Sequence, residues 1–122
     1  MRADPIVLSP YPRRARRSTG ERLREAVLAL AGGHGEMLFL SETAWASITF
    51  AGTRHRLRIM FMGADAVAGG EELVAALPEH EFLIPHQLVA DATVCGVEST
   101  LVPAQRMVVD CELLLLEDAE AP

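Results

Sequence analysis

The sequence predicts an α+β fold: a twisted antiparallel sheet of four to five strands with two helices against one face. Three observations carry that expectation. Residues 45–62, WASITFAGTRHRLRIMFM, alternate apolar and polar side chains on both sides of Gly52-Thr53. Residues 18–33, STGERLREAVLALAGG, read as a capped amphipathic helix. Finally, EAVLALAGGHGEMLFL (25–40) and EELVAALPEHEFLIP (71–85) echo one another: a Glu near the helix start, an Ala/Leu-rich run, a His, a Glu and an apolar strand. A second strand follows each, so an αββ unit used twice accounts for the order of elements.

Residues 1–17 contain Pro5, Pro10 and Pro12 and the cluster Arg13-Arg14-Ala15-Arg16-Arg17. Such a segment has little to bury and is expected to be a mobile arm, with Ile6-Val7-Leu8 as a short β-prone exception able to join a sheet edge. The folded domain is expected to span residues 18–118, and the acidic residues 119–122 to fray. Ser18 and Glu21 have capping-box spacing. Leu23, Val27 and Leu30 then form one helical stripe that Gly32-Gly33 terminates, which predicts a helix over residues 19–31.

Residues 36–40 read as a strand, with residues 41–44 as a bend or bulge before the hairpin. Gly52-Thr53 suits a type II′ turn, which asks for Gly first. That turn pairs Phe50 with His55, Ile48 with Leu57, Ala46 with Ile59 and Ala44 with Phe61 on an apolar face. Trp45, Ser47 and Thr49 join Arg54, Arg56, Arg58 and Met60 on the other. After Gly63, Asp65 is placed to cap a second helix carrying Val67, Leu73, Val74 and Leu77, which Pro78 stops. Phe82-Leu83-Ile84 and residues 88–97 read as extended, residues 98–105 as a loop around Pro103, and residues 107–117 as the last strand. Leu113 to Leu116 are apolar on both faces. Two short helices cover one face of a sheet, so homodimerisation through the second, apolar face is the expected remedy.

Composition narrows the function classes. The 122 residues carry a formal charge of −6, unevenly spread: residues 1–24 hold seven Arg against Asp4 and Glu21 (+5), and the remainder holds four Arg against fifteen acids (−11). An acidic body argues against a general nucleic-acid-coating role. Lys and Asn are absent and Ala is abundant, the coding bias of a GC-rich, bacterial-type genome. No apolar run reaches the ~18 residues of a membrane span, and the expected location is the cytoplasm. Two cysteines, Cys95 and Cys111, make no disulfide framework and are expected as free thiols. With His34, His55, His80 and His86 they supply no ligand quartet at metal-binding spacing, so no metal and no cofactor is expected.

The candidate ligand-binding residues are Trp45, Arg54, Arg56 and Arg58, which project together and offer forked donors and a stacking plane to a small anionic ligand. His55, His86 and Asp91 form the candidate set for acid–base chemistry, Asp91 because it sits in an otherwise apolar strand. No GxSxG, GxGxxG or Walker-type loop is present, so catalytic residues stay unassigned. The leading expectation is a non-enzymatic, oligomeric binding or interaction module. The alternatives are a small-ligand enzyme with its site between sheet and helices, using His55, His86 and Asp91, and a nucleic-acid accessory protein acting through Arg13 to Arg17.

Overall fold

A computed structural model of the chain describes residues 18–118. The elements run α1 (Thr19–Leu30), β1 (Glu36–Ala46), β2 (Ala51–Met62), α2 (Ala64–Ala76), a 3₁₀ turn (Leu77–Glu79), β3 (Gln87–Thr100) and β4 (Arg106–Glu117). The four strands form one antiparallel sheet in the order β1-β2-β4-β3, with both helices packed on one face. The order helix–strand–strand occurs twice, and the second strand of each unit meets the other at the centre of the sheet. The predicted arm (1–17) and tail (119–122) lie outside the described residues.

α1 begins as its sequence dictates. Ser18 Oγ accepts from the Glu21 N–H at 3.1 Å, and Glu21 returns a carboxylate oxygen to the Ser18 N–H at 3.1 Å. It ends where Gly32 and Gly33 take positive φ, with the Gly33 N–H donating back to Leu28 O. The buried stripe is Leu23 and Val27, with Gly20 beside them. α2 differs from expectation. Its N-cap is Gly63 rather than Asp65, with no side-chain cap; the Gly63 N–H donates instead to Gln105 O in the loop before β4. Gly69 and Gly70 are buried packing positions rather than weak points. A Cβ at Gly69 would run into Ala31 O, and one at Gly70 would press on Phe61 and Met107. The helix therefore lies close on both the first helix and the sheet.

The first hairpin is slipped relative to the expected register. β1 and β2 are joined by a four-residue loop, residues 47–50, so that Glu42 lies opposite His55, Leu40 opposite Leu57 and Phe39 opposite Arg58. Ser47 builds this turn: its N–H donates to Phe50 O at 2.8 Å, and its hydroxyl accepts from the Phe50 and Thr49 N–H groups. Gly52 is not a turn residue. It sits inside β2, where a Cβ would collide with Leu115 O of the neighbouring β4. The predicted bend over residues 41–44 is regular strand; the irregularity lies between Met37 and Phe39. Residues 82–84 carry one isolated bridge rather than a strand, and β3 runs on to Thr100 before a shorter loop.

The core is made by the helix-facing side chains. Leu57, Ile59 and Phe61 from β2 and Val109, Leu113 and Leu115 from β4 are buried against Leu23, Val27 and Leu73. The expected second apolar face is narrower than the four-leucine run implies. Leu116, on the open side, is 7% exposed within the single chain, as is Val108. Ile48 and Phe50, expected in the core, are exposed at or beside the hairpin tip.

Candidate functional site

The open face of the sheet carries the site. Along β2 the side chains alternate, and those turned away from the helices are Arg54, Arg56, Arg58 and Met60. Directly opposite on β4 stand Leu114, Glu112, Asp110 and Val108. A row of guanidinium groups thus lies beside a row of carboxylates. Arg58 grips Asp110 with two contacts, 2.7 and 3.4 Å, and this pairing holds its guanidinium pKa above the ordinary value. Glu112 faces Arg56 in the register, yet its carboxylate reaches Arg54 at 2.7 Å. Arg56 is left with no acidic partner among the described residues.

Two β-bulges shape the surface around this row. One lies in β1 between Met37 and Phe39, alongside Arg58; the other lies in β3 between Val94 and Gly96, alongside Asp110. Since Arg58 pairs with Asp110, both bulges fall at one level of the sheet, one on each edge strand. Bulges bend a strand and re-aim its side chains. Here they frame a cavity of about 430 Å³ lined by Leu38, Phe39, Arg56, Arg58, Cys95 and Asp110. An apolar wall, a free guanidinium and a thiol meet there, an arrangement able to hold a carboxylate or phosphate attached to an apolar body.

The β3 bulge also separates the cysteines. Val94, not Cys95, lies opposite Cys111. Cys111 is buried on the helix side, and burial first, then the neighbouring Cys95 and Asp110, pushes its thiol up to about 12. Cys95 is exposed with Sγ 3.9 Å from Glu112 Oε1. Its pKa is also raised, by partial desolvation and then by Glu112, with Arg56 pulling the other way.

The predicted site residues separate into groups. Arg54, Arg56 and Arg58 share the open face, and Trp45 lies in the same row of β1, opposite Gly52 rather than the expected Met60. Asp91 is paired with Leu114 and so belongs to this face as well; the Thr93 hydroxyl lies 3.5 Å from its carboxylate. His55 is on the other side, 1% exposed beneath the helices, and His86 is an exposed loop residue at φ 64°. The fold therefore does not bring His55 and Asp91 together. Both ring nitrogens of His55 lack a hydrogen-bond partner among the described residues, and Glu42 stands 3.9 Å from Nδ1. Burial lowers the His55 pKa and Glu42 partly offsets it. Gly20 leaves the room that the Glu42 carboxylate occupies.

Sequence reasoning missed Phe39 and Cys95 as members of the cavity, whereas Asp110 follows from its place in an otherwise apolar strand. Cys95 enters as the extra residue of the β3 bulge, for which Gly96 inside the strand is the one local signal, and Phe39 enters through its pairing with Arg58. No group of three or more His, Cys, Asp or Glu among the described residues is arranged to hold a metal ion. No helix among them is long and apolar enough to cross a membrane.

The site belongs to a small α+β module whose sheet is covered on one side. No family model matches the chain, and no curated protein matches it. Among solved structures it is similar to a chain of the "Virion of native gene transfer agent (GTA) particle", at a TM-score of 0.48 and 13% identity, over 82% of this chain and 91% of that one. A likeness at that level carries no functional information.

Proposed function

We propose that this protein is a non-enzymatic, oligomeric interaction module whose open sheet face docks a second copy of the same chain. One observation carries the reading: the open face is self-complementary in charge. A twofold axis parallel to the strands, over the line between β2 and β4, lays the β2 row of one copy on the β4 row of the other. Such an axis keeps the level along the strand, so Arg58 meets the partner copy's Asp110 row and Arg56 meets the Glu112 row. Isologous contacts of this kind are the common form of homodimer. Met60 at one end and Leu88 and Leu114 at the other supply apolar contact around the charged centre. Four strands at about 4.8 Å spacing and eleven to fourteen residues long present roughly 800 Å², the ~800 Å² per partner of a standard interface.

Sedimentation velocity over a range of concentrations tests this. The expected result is a reversible dimer that Arg56→Glu weakens by at least about tenfold, because a like charge then faces Glu112. A monomer at every concentration, or a dimer indifferent to Arg56→Glu, overturns it. The free Arg56 guanidinium favours a second reading, a small carboxylate or phosphate ligand in the 430 Å³ cavity. Calorimetric titration with phosphate and with an aryl carboxylate distinguishes the two, since a bound anion competes with the second copy for the same guanidinium.

A further inference from the structure

A second groove lies at the start of β3, on the outer edge of the sheet. It measures about 530 Å³ and lies between the segment 78–83 and the first residues of β3. Its wall is apolar, from Phe82, Leu83 and Leu88, and Leu83 is 87% exposed. Glu79, Glu81 and Asp118 line it together with His80, and no arginine among the described residues does. In this it differs from the cavity on the open face, which includes Arg56 and Arg58. Beside it, β3 is an edge strand, so one side of its backbone has no strand partner among the described residues.

We infer that this groove takes the basic N-terminal segment, residues 1–17, of a second copy. Charge and composition select the occupant. The segment holds five of the eleven arginines, four of them in the run Arg13 to Arg17, whereas residues 25–122 carry a net −11. It also contains Ile6-Val7-Leu8, apolar and β-prone, ahead of the arginines. An extended chain of that composition suits an edge strand with an apolar pocket and an acidic rim. For the arginine run as a whole, the tether argues for a second copy over the same chain. Arg17 adjoins Ser18, and α1 starts beside Glu42 on β1, the opposite edge of the sheet. Three strand spacings separate β1 from β3, about 14 Å. Arg16 and Arg17 lie within one or two residues of Ser18, roughly 3–7 Å of chain, so they fall short of that groove in their own chain.

The contact is separate from the open face, and full-length variants distinguish them. Two are compared with wild type by sedimentation velocity: Glu79→Gln with Glu81→Gln in the groove, and Arg13→Gln, Arg14→Gln, Arg16→Gln and Arg17→Gln in the segment. All six changes are of charged side chains, and circular dichroism checks that the fold is kept. Each set is expected to weaken self-association about tenfold, as two or more partly exposed ion pairs are lost. Combining them is expected to add less than about twofold, because both remove the same contact. Losses that multiply to about a hundredfold, or a groove variant that associates like wild type, overturn the inference. Loss on Arg56→Glu with both sets neutral overturns it while leaving open-face docking intact; the reverse result does the opposite. A protein monomeric throughout overturns both.

Discussion

On the helix-covered face of the sheet, Leu57, Ile59, Phe61, Val109, Leu113 and Leu115 are buried, and the buried polar residue there, His55, lacks a partner for either ring nitrogen among the described residues. One residue out of phase on the same two strands stand Arg54, Arg56, Arg58, Asp110 and Glu112, whose carboxylates are both hydrogen-bonded to arginine. The strands are shared, so backbone propensity cannot explain the contrast. Burial decides it. Under the helices stability comes from apolar area, and each polar atom there is costly; on the open face charges remain solvated, and their pairing adds specificity more than stability.

The largest test of this contrast is Phe61→Ala. Phe61 is fully buried and touches the close approach of α2 at Gly70. Urea unfolding is expected to show a loss of about 3–5 kcal/mol. Gly52→Ala comes next. The added methyl meets backbone, the Leu115 carbonyl and Leu116 Cα, so β2 and β4 must separate locally, with an expected cost of about 1–3 kcal/mol. A neutral Gly52→Ala would overturn the close approach of β2 and β4 at Gly52.

That register shows how far the sequence could be read. The helix-capping box, the two helices, the antiparallel sheet and the faces of β2 were legible, because each rests on local chemistry or on side-chain period. The pairing of β1 was not. The expected partner of His55 was Phe50 and the actual one is Glu42, a slip of eight residues. An even slip leaves every side chain on its original face, so alternation is blind to it. What decides between the registers is nonlocal: the longer β1 gives Met37 and Leu40 partners on β2, and the β2–β4 contact needs Gly52. The site was legible to the same degree. Three arginines on one face followed from period, and so does Asp110 on β4, but Phe39 joins them through the slipped β1 register and Cys95 through the β3 bulge.

His55 sharpens the comparison from the covered side. Its folded pKa is lowered by burial from the ordinary 6.5. Above that value both folded and unfolded states hold it neutral, and stability is independent of this group. As pH falls below 6.5 the unfolded chain takes up the proton first, so stability declines until the lowered folded pKa is passed. His55→Leu removes two unsatisfied nitrogens from the core. It is expected to stabilise by about 1 kcal/mol at pH 7 and to flatten the acid limb of a stability–pH curve. An unchanged acid limb would show that another group titrates there.

The smallest effect in free energy, and the plainest in readout, separates the two thiols. Cys95 is exposed on the open face and Cys111 is buried on the other, one strand away. The thiolate is the reacting species, and both pKa values are raised, Cys111 to about 12. A thiol reagent at pH 7 is therefore expected to titrate Cys95 slowly in the native protein and to reach Cys111 only on unfolding, one group and then two. Raising the pH toward 9 should speed the first reaction as more thiolate forms, while the second stays silent until the core opens. Because labelling at Cys95 adds bulk beside Arg56 and Glu112, it should leave the unfolding midpoint nearly unchanged yet weaken self-association. Two fast thiols in the native state would place Cys111 on the open face and reverse the assignment of β4. Labelling without effect on association would remove the cavity from the docking surface while leaving the arrangement of the core untouched.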